Sequence, residues 1–264
     1  MEFIQPNEQR HLFPELPSVA MLFNGRLLEE EIEGYRTLNV SGRETIGYDM
    51  ETSGQISGRD GELFLNKTIP ARMLTIQYEL KAETNHEFQD KFRALNWLLH
   101  SEDDIPIKFR DELDVTYYGQ LSTMATVPPE SNSVISTFEI YCPDPYKYED
   151  GFMARGNPVD VLMMAPHKVK PDEIVIELQS GTSKITVDNT TTGRHIILNG
   201  TYNVGDTIRI NIKENKITRN NQNIKSHLDF MESDFHRFTV KDEDQVSVTP
   251  SSAEVALMIR GRWK

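Results

Sequence analysis

Cysteine is almost missing from the 264-residue chain, with Cys142 the single one. That excludes an intramolecular disulfide framework and any zinc site built from several thiolates, so stability is expected to come from packing or from partner subunits. Long apolar runs are missing as well. The longest, Val161 to Pro166, ends at His167 and Lys168, well below the roughly 20 residues of a membrane-spanning helix, and no membrane insertion is expected. The start, Met1-Glu2-Phe3-Ile4-Gln5-Pro6, has neither a basic segment nor an apolar stretch. No secretory signal is therefore expected, and synthesis and assembly are placed in the cytoplasm. Positive charge is in deficit: 28 Lys+Arg against 41 Asp+Glu leave −13, which makes nucleic acid an unfavourable partner.

The stronger catalytic signatures are absent too. There is no Gly-x-x-x-x-Gly-Lys-Ser/Thr phosphate loop, no Gly-x-Ser-x-Gly elbow and no His-Glu-x-x-His helix, and the seven histidines are scattered without ligand spacing. Glu102-Asp103-Asp104 and Asp111-Glu112-Asp114 could supply the paired carboxylates of a glycosidase, but acidic runs at a helix end are ordinarily solvated loops. Asp188-Asn189-Thr190-Thr191-Thr192-Gly193 has a faint likeness to a calcium loop. Threonines stand where carboxylate or amide ligands belong, and the twelfth position is Asn199, so a turn between strands is expected. Catalytic residues, metal ligands and cofactors are therefore all expected to be none.

Charge is distributed unevenly along what remains. Up to Asp150 there are 13 basic and 27 acidic residues, a balance of −14, and from Gly151 onward the balance is +1. Two units with different surfaces are expected. Pro143 and Pro145 close a strand-like run, and Gly151, Gly156, Pro158, Pro166 and Pro171 punctuate the polar stretch that follows. The predicted division is an N-terminal domain over 1–148, a linker over 149–172 and a C-terminal domain over 173–264.

In the first half, Leu74, Ile76, Tyr78, Leu80 and Ala82 alternate with polar residues, the period of a half-buried strand. Weaker strand signals fall at 20–23, 37–40, 107–109, 115–118 and 134–142. Thr84 and Glu87 form a capping box, and Phe88, Phe92, Leu95 and Leu99 follow at helical spacing. A helix is predicted over 84–100, its apolar face widened by Trp97 and Leu98 and laid on a sheet. Gly58 and Gly61 around Arg59-Asp60, between Met50 and Pro70, read as a projecting hairpin or arm. The second half alternates at Ile174-Ile176-Leu178, Ile185-Val187, Ile208-Ile210-Ile212, Val246-Val248 and Val255-Leu257-Ile259, a β-sandwich pattern.

These pieces, in this order, resemble the distal tail proteins (Dit) of bacteriophages with long, non-contractile tails. The resemblance runs through Phe23-Asn24-Gly25, the Gly58-Arg59-Asp60-Gly61-Glu62-Leu63 segment, the helix ending in Trp97-Leu98-Leu99, and Phe138 to Tyr148 with its Asp144-Pro145-Tyr146 signature. It continues through Glu177 to Gly181, Thr191-Thr192-Gly193, Asn199-Gly200, Gly205-Asp206 and Arg260 to Lys264. It implies a mainly β protein: an N-terminal β-sandwich-like domain with one helix and a projecting arm, then a galectin-like or carbohydrate-module-like β-sandwich. It also implies a homo-hexameric ring at the distal end of the virion tail, assembled in the host cytoplasm and joining the tail tube to baseplate or tail-tip proteins. The implied partners are the tail-tube protein, a tail-associated fibre or lysozyme protein and, in some phages, a receptor-binding protein. DNA would pass through the ring without specific binding.

Within that frame Gly58, Arg59, Asp60, Gly61 and Glu62 are expected to form an oligomerisation arm. Pro143, Asp144, Pro145, Tyr146 and Tyr148 are expected to form the domain hinge. Trp263 reads as a core lid more readily than as a sugar platform. The alternative function is a carbohydrate-binding module attaching the virion to cell-wall glycans, although residues 173–262 hold only Tyr202, Phe230, Phe235 and Phe238 as aromatics. A cell-wall hydrolase ranks last.

Overall fold

The computed structural model describes residues 16–55, 57–128 and 130–264; the N-terminal residues read above for a secretory signal lie outside them. The chain divides into two compact units, Met1–Lys147 with Lys264, and Tyr148–Trp263.

The first unit contains β1 (Met21–Phe23), β2 (Arg26–Leu27), β3 (Tyr35–Ser41), β4 (Asp49–Gln55), β5 (Glu62–Thr68), β6 (Arg72–Lys81), β7 (Ile105–Phe109), β8 (Glu112–Met124) and β9 (Ser133–Cys142). Two helices, α1 (Leu28–Glu31) and α2 (Asn85–Leu99), join them. Seven strands follow one hydrogen-bonded path, β2-β1-β7-β8-β9-β6-β3, while among the described residues β4 and β5 pair only with each other. The alternation along β6 buries Leu74, Ile76, Tyr78 and Leu80, and the Tyr78 ring packs 5.6 Å from both Tyr35 and Phe138. The thirteen-residue β8 pairs with β7 through its first part and with β9 through its second, with a register shift between Leu121 and Thr123. One bulged strand thereby serves two layers, which gives the unit its sandwich-like form. At the crossover a side chain on Gly119 would lie 2.6 Å from the Tyr141 carbonyl, so only glycine fits.

At the start of α2 the Thr84 hydroxyl accepts from the Glu87 backbone N–H at 3.2 Å, and the Glu87 carboxylate accepts from the Glu83 N–H at 2.9 Å. Phe88, Leu95 and Leu99 are buried, and α2 packs beside β6. Trp97 departs from the expected buried face: it is 69% exposed, with the Arg26 guanidinium 5.7 Å from its ring centroid. Two helical steps from Leu95 turn a side chain through about 200°, to the opposite side.

In the second unit, β10 (Lys147–Glu149) straddles the division and is followed by β11 (Phe152–Arg155), β12 (Val159–Asp160), β13 (Glu173–Glu177), β14 (Thr182–Asn189) and β15 (Arg194–Tyr202). Then come β16 (Thr207–Asn211), β17 (Lys216–Arg219), β18 (Gln222–Asn223), β19 (Gln245–Thr249), β20 (Glu254–Ile259) and β21 (Arg262–Trp263). A six-stranded sheet, β11-β20-β13-β16-β17-β18, and a four-stranded sheet, β12-β19-β14-β15, make a β-sandwich. Ile174, Ile176, Ile208, Ile210 and Leu257 from the first meet Ile185, Val187, Ile196, Leu198, Val246 and Val248 from the second in one apolar core.

The stretch 149–172, expected to be a linker, is built into this unit. Phe152–Arg155 pairs with β20 and Val159 with Val246, and Val159, Val161, Met163 and Val169 enter the core. Asn189, at the supposed calcium loop, is fully buried, and its Oδ1 accepts from the Thr191 and Thr192 N–H groups. It closes the turn between β14 and β15.

Two carboxylates tie the unit's edges. Asp206 Oδ2 accepts from the Asn203 N–H at 2.6 Å and pairs with Arg219 at 2.7 Å, while Oδ1 accepts from the Asn220 side chain at 2.8 Å. Burial pushes this carboxyl up, but these donors together hold it below its ordinary value. Asp172, between Arg260 and Lys213, is held low against its own burial in the same way. A depressed folded-state pKa stabilises fully above the unfolded aspartate value of about 3.9 and is lost as pH falls through the folded value. Urea unfolding of the second unit is therefore expected to weaken below about pH 4, and Asp206→Asn should flatten that acid limb. A limb of unchanged steepness in the variant would exclude Asp206 as its source.

Candidate functional site

β4 and β5 form a hairpin whose strand residues are nearly all exposed. Register shifts around Thr52 mark bulges, which raise the local twist of a ribbon. Gly58 and Gly61 turn the tip at φ of 79° and 76° with open space where a side chain would be, so conformation rather than crowding selects glycine there. Arg59 and Asp60 are exposed at this tip. Glu62 opens β5, and its carboxylate accepts from the Thr52 hydroxyl at 2.5 Å.

Large apolar side chains stand on this arm uncovered: Met50 is 67% exposed, and Phe64 and Leu65 are each 58% exposed. Among the described residues each strand also has one backbone edge with no strand beside it, because there the two pair only with each other. Open edges and bare apolar side chains are what strand addition by another chain uses.

The foot of the arm is fixed. Arg43 makes a two-pronged pair with Asp111, at 2.7 and 2.9 Å, with its guanidinium 5.1 Å from the Phe109 ring centroid. Gly42, at φ 89°, passes so close to β6 that a side chain there would lie 2.0 Å from the Met73 carbonyl. Behind it sits Arg72, the first inward-facing residue of β6 and only 1% exposed. Its guanidinium donates to the carbonyls of Gly42, Glu44 and Pro145, and lies 5.5 Å from the Tyr117 ring centroid. Burial pulls its pKa below the ordinary arginine value; the cation is held by backbone carbonyls rather than by a carboxylate.

Arg72 brings together two of the predicted features, the root of the arm and the Asp-Pro-Tyr turn. In that turn Asp144 Oδ1 accepts from the Tyr146 N–H at 3.1 Å, and Pro145 supplies the carbonyl that Arg72 grips at 2.9 Å. Lys147 pairs with Glu112, which also accepts from the Tyr117 hydroxyl at 2.8 Å. Pro143 lies between β9 and this turn, and Tyr148 falls in the second unit. Sequence reasoning missed Arg72, whose signal was its place at the head of the β6 alternation. Cys142, also at this corner, is buried, and burial pushes its thiol up to about 12, so it stays protonated at neutral pH. Among the described residues no group of three His, Cys, Asp or Glu is placed to hold a metal ion.

Residues 31–141 match the family model of a phage tail protein RIFT-related domain, and residues 168–263 that of a siphovirus-type tail component, C-terminal domain. Fold and matches together define a two-domain component of a phage tail. The distal tail protein of Bacillus phage SPP1 is 27% identical over 212 residues, covering 78% of this chain and 81% of that one. The crystal structure of SPP1 Dit, described as a paradigm of the hub adsorption apparatus in phages infecting Gram-positive bacteria, superposes with a TM-score of 0.77 at 19% identity, over 92% of this chain and 99% of that one. Both units thus carry phage tail-component domains, and the chain is similar over most of its length to a phage distal tail protein.

Proposed function

We propose that six copies of this chain close into a ring through their N-terminal units, each arm reaching the next subunit. The observation that carries this reading is the β4–β5 hairpin, which presents Met50, Phe64 and Leu65 to solvent from a firmly anchored foot. A contact between different surfaces of successive copies makes a ring when its rotation closes. The ring joins the tail-tube protein on one face to a tail-associated fibre or lysozyme protein on the other, with receptor-binding proteins at its periphery. It acts without catalysis or cofactor, and Pro143 to Tyr148 form the joint between ring and peripheral domain. The acidic first half suits a channel that lets DNA through without holding its phosphates. The carbohydrate-binding alternative is disfavoured, because of the four aromatics over 173–262 Tyr202, Phe235 and Phe238 are buried and Phe230 alone is exposed, and the Trp263 indole N–H is committed to Glu149 at 2.6 Å.

Light scattering with negative-stain imaging tests the ring. Six 30.3 kDa chains give 6 × 30.3 = 181.8 kDa, and six-fold rings are expected at that mass. Their share should rise with salt, since like charges on the acidic units repel less when screened. A monomer at every salt concentration would reject autonomous ring formation.

A further inference from the structure

The chain that leads into the arm is secured only as far as Glu44. Arg43 and Arg72 hold residues 42–44, and residues 45–48 then run outside any strand, through Gly47, before β4 begins at Asp49. Tyr48 is the last of them, and two ammonium groups stand over its ring: Lys67 Nζ lies 4.7 Å from the centroid and Lys264 Nζ 3.9 Å from it. Lys67 comes from β5, opposite Met50 in the register and so diagonal to Tyr48 across the hairpin, within reach of a long side chain. Lys264 is far away in sequence yet groups with the first unit. The chain carries 41 acidic residues against 28 basic ones, but among the described residues neither of these lysines is paired with a carboxylate. What each head meets is the electron-rich face of one aromatic ring.

We propose that Lys264 and Lys67 clamp the Tyr48 ring and thereby set the direction in which the arm leaves the first unit. Held at residues 42–44 alone, β4 could swing about the step of residues 45–47. The clamp supplies a second fixed point beyond that step. An arm already held in its binding direction loses less conformational freedom when it docks. The arm's part in ring closure rests on the function proposed above, whereas the clamp belongs to the single chain. Lys264 is a positioning residue here, acting on the arm through Tyr48.

Amide exchange followed by mass spectrometry tests the clamp in the full chain carrying F64S/L65S, where the arm's apolar contacts are removed. Exchange over residues 49–51 and 66–68 is expected to quicken roughly fivefold to thirtyfold in Y48L and about twofold to fivefold in K264Q, as two and one cation–π contacts of ordinary strength are lost. Y48F keeps the ring and K264R keeps the charge, so both should exchange as the parent does. Tyr48 is 36% exposed, and the unfolding midpoint of the first unit should stay in place in all four variants. Parent-like exchange in Y48L or K264Q, or as much quickening in Y48F as in Y48L, overturns the clamp. Light scattering of Y48L without the serine changes is expected to show a smaller share of rings than wild type. A wild-type chain that forms no rings counts against the ring and leaves the exchange result to decide the clamp.

Discussion

Replacing Phe64 and Leu65 together by serine is expected to convert rings into monomers while leaving the protomer as stable as before. Both side chains are more than half exposed in the isolated chain, so their loss removes no protomer core, and surface changes of this kind ordinarily alter stability by about 0.5 kcal/mol or less. In the ring they would be covered. Fully burying an exposed side chain of this kind is worth about 1.5–3 kcal/mol; with 58% of each left to cover, each subunit contact should weaken by about 2–3.5 kcal/mol, roughly thirty- to three-hundred-fold in association. Light scattering of the variant beside the wild type reads this directly, with urea unfolding as the control on the protomer. Shortening the hairpin across 54–64 should have the same effect by removing the strand edges as well. Full rings from both variants would remove the arm from the assembly mechanism.

Arg72→Leu is expected to be the most damaging single change in the first unit. It strips the donor from three carbonyls, those of Gly42, Glu44 and Pro145. Hydrogen bonds to a charged group contribute about 1.5–3 kcal/mol each, and an unsatisfied buried acceptor costs a similar amount. Part of the loss is offset by no longer burying a cation, one of whose terminal nitrogens is itself unsatisfied. A net loss of about 3–4 kcal/mol is expected, lowering the melting temperature by roughly 10 °C for a unit of this size. Arg72→Lys should recover less than half, because an ammonium lacks the planar fork that reaches several carbonyls at once. Amide exchange should quicken both at the arm's foot and in the Asp144–Tyr146 turn, since one side chain holds both. Quickening at only one of them would show that the two are held independently.

The contrast between Arg72 and Thr84 shows what a linear reading captures. The start of α2 was legible because the cap, the carboxylate three residues on and the apolar side chains that follow are all local, and helix geometry makes their spacing meaningful. The same geometry should have set Trp97 apart: it was grouped with Leu98 by hydrophobicity although its angle from Leu95 puts it on the solvent side. The six clearest strands have one face buried, which writes a period of two into the sequence. β4 and β5 have no buried face, so they left no such record, and only the glycines of the tip betrayed the hairpin. Val159, Val161, Met163 and Ala165 do alternate, and all are buried. Their signal was outweighed by the surrounding glycines and prolines, which is why a strand-bearing segment read as a linker. The Arg72 junction joins residues 30 and 73 positions away. It leaves no short-range pattern, because its contacts exist only once the sheets have formed.

The solitary, buried Cys142 makes the chain unusually convenient to instrument. With its thiol protonated and shielded, it should ignore maleimide reagents under conditions that label an exposed cysteine within minutes. A cysteine introduced at Ser57, on the tip of the arm, would then be the one position to take a dye or spin label. In the proposed ring, symmetry would repeat that label at equal intervals, and distances between neighbouring tips would report the geometry of the closed assembly without any need to remove a native thiol.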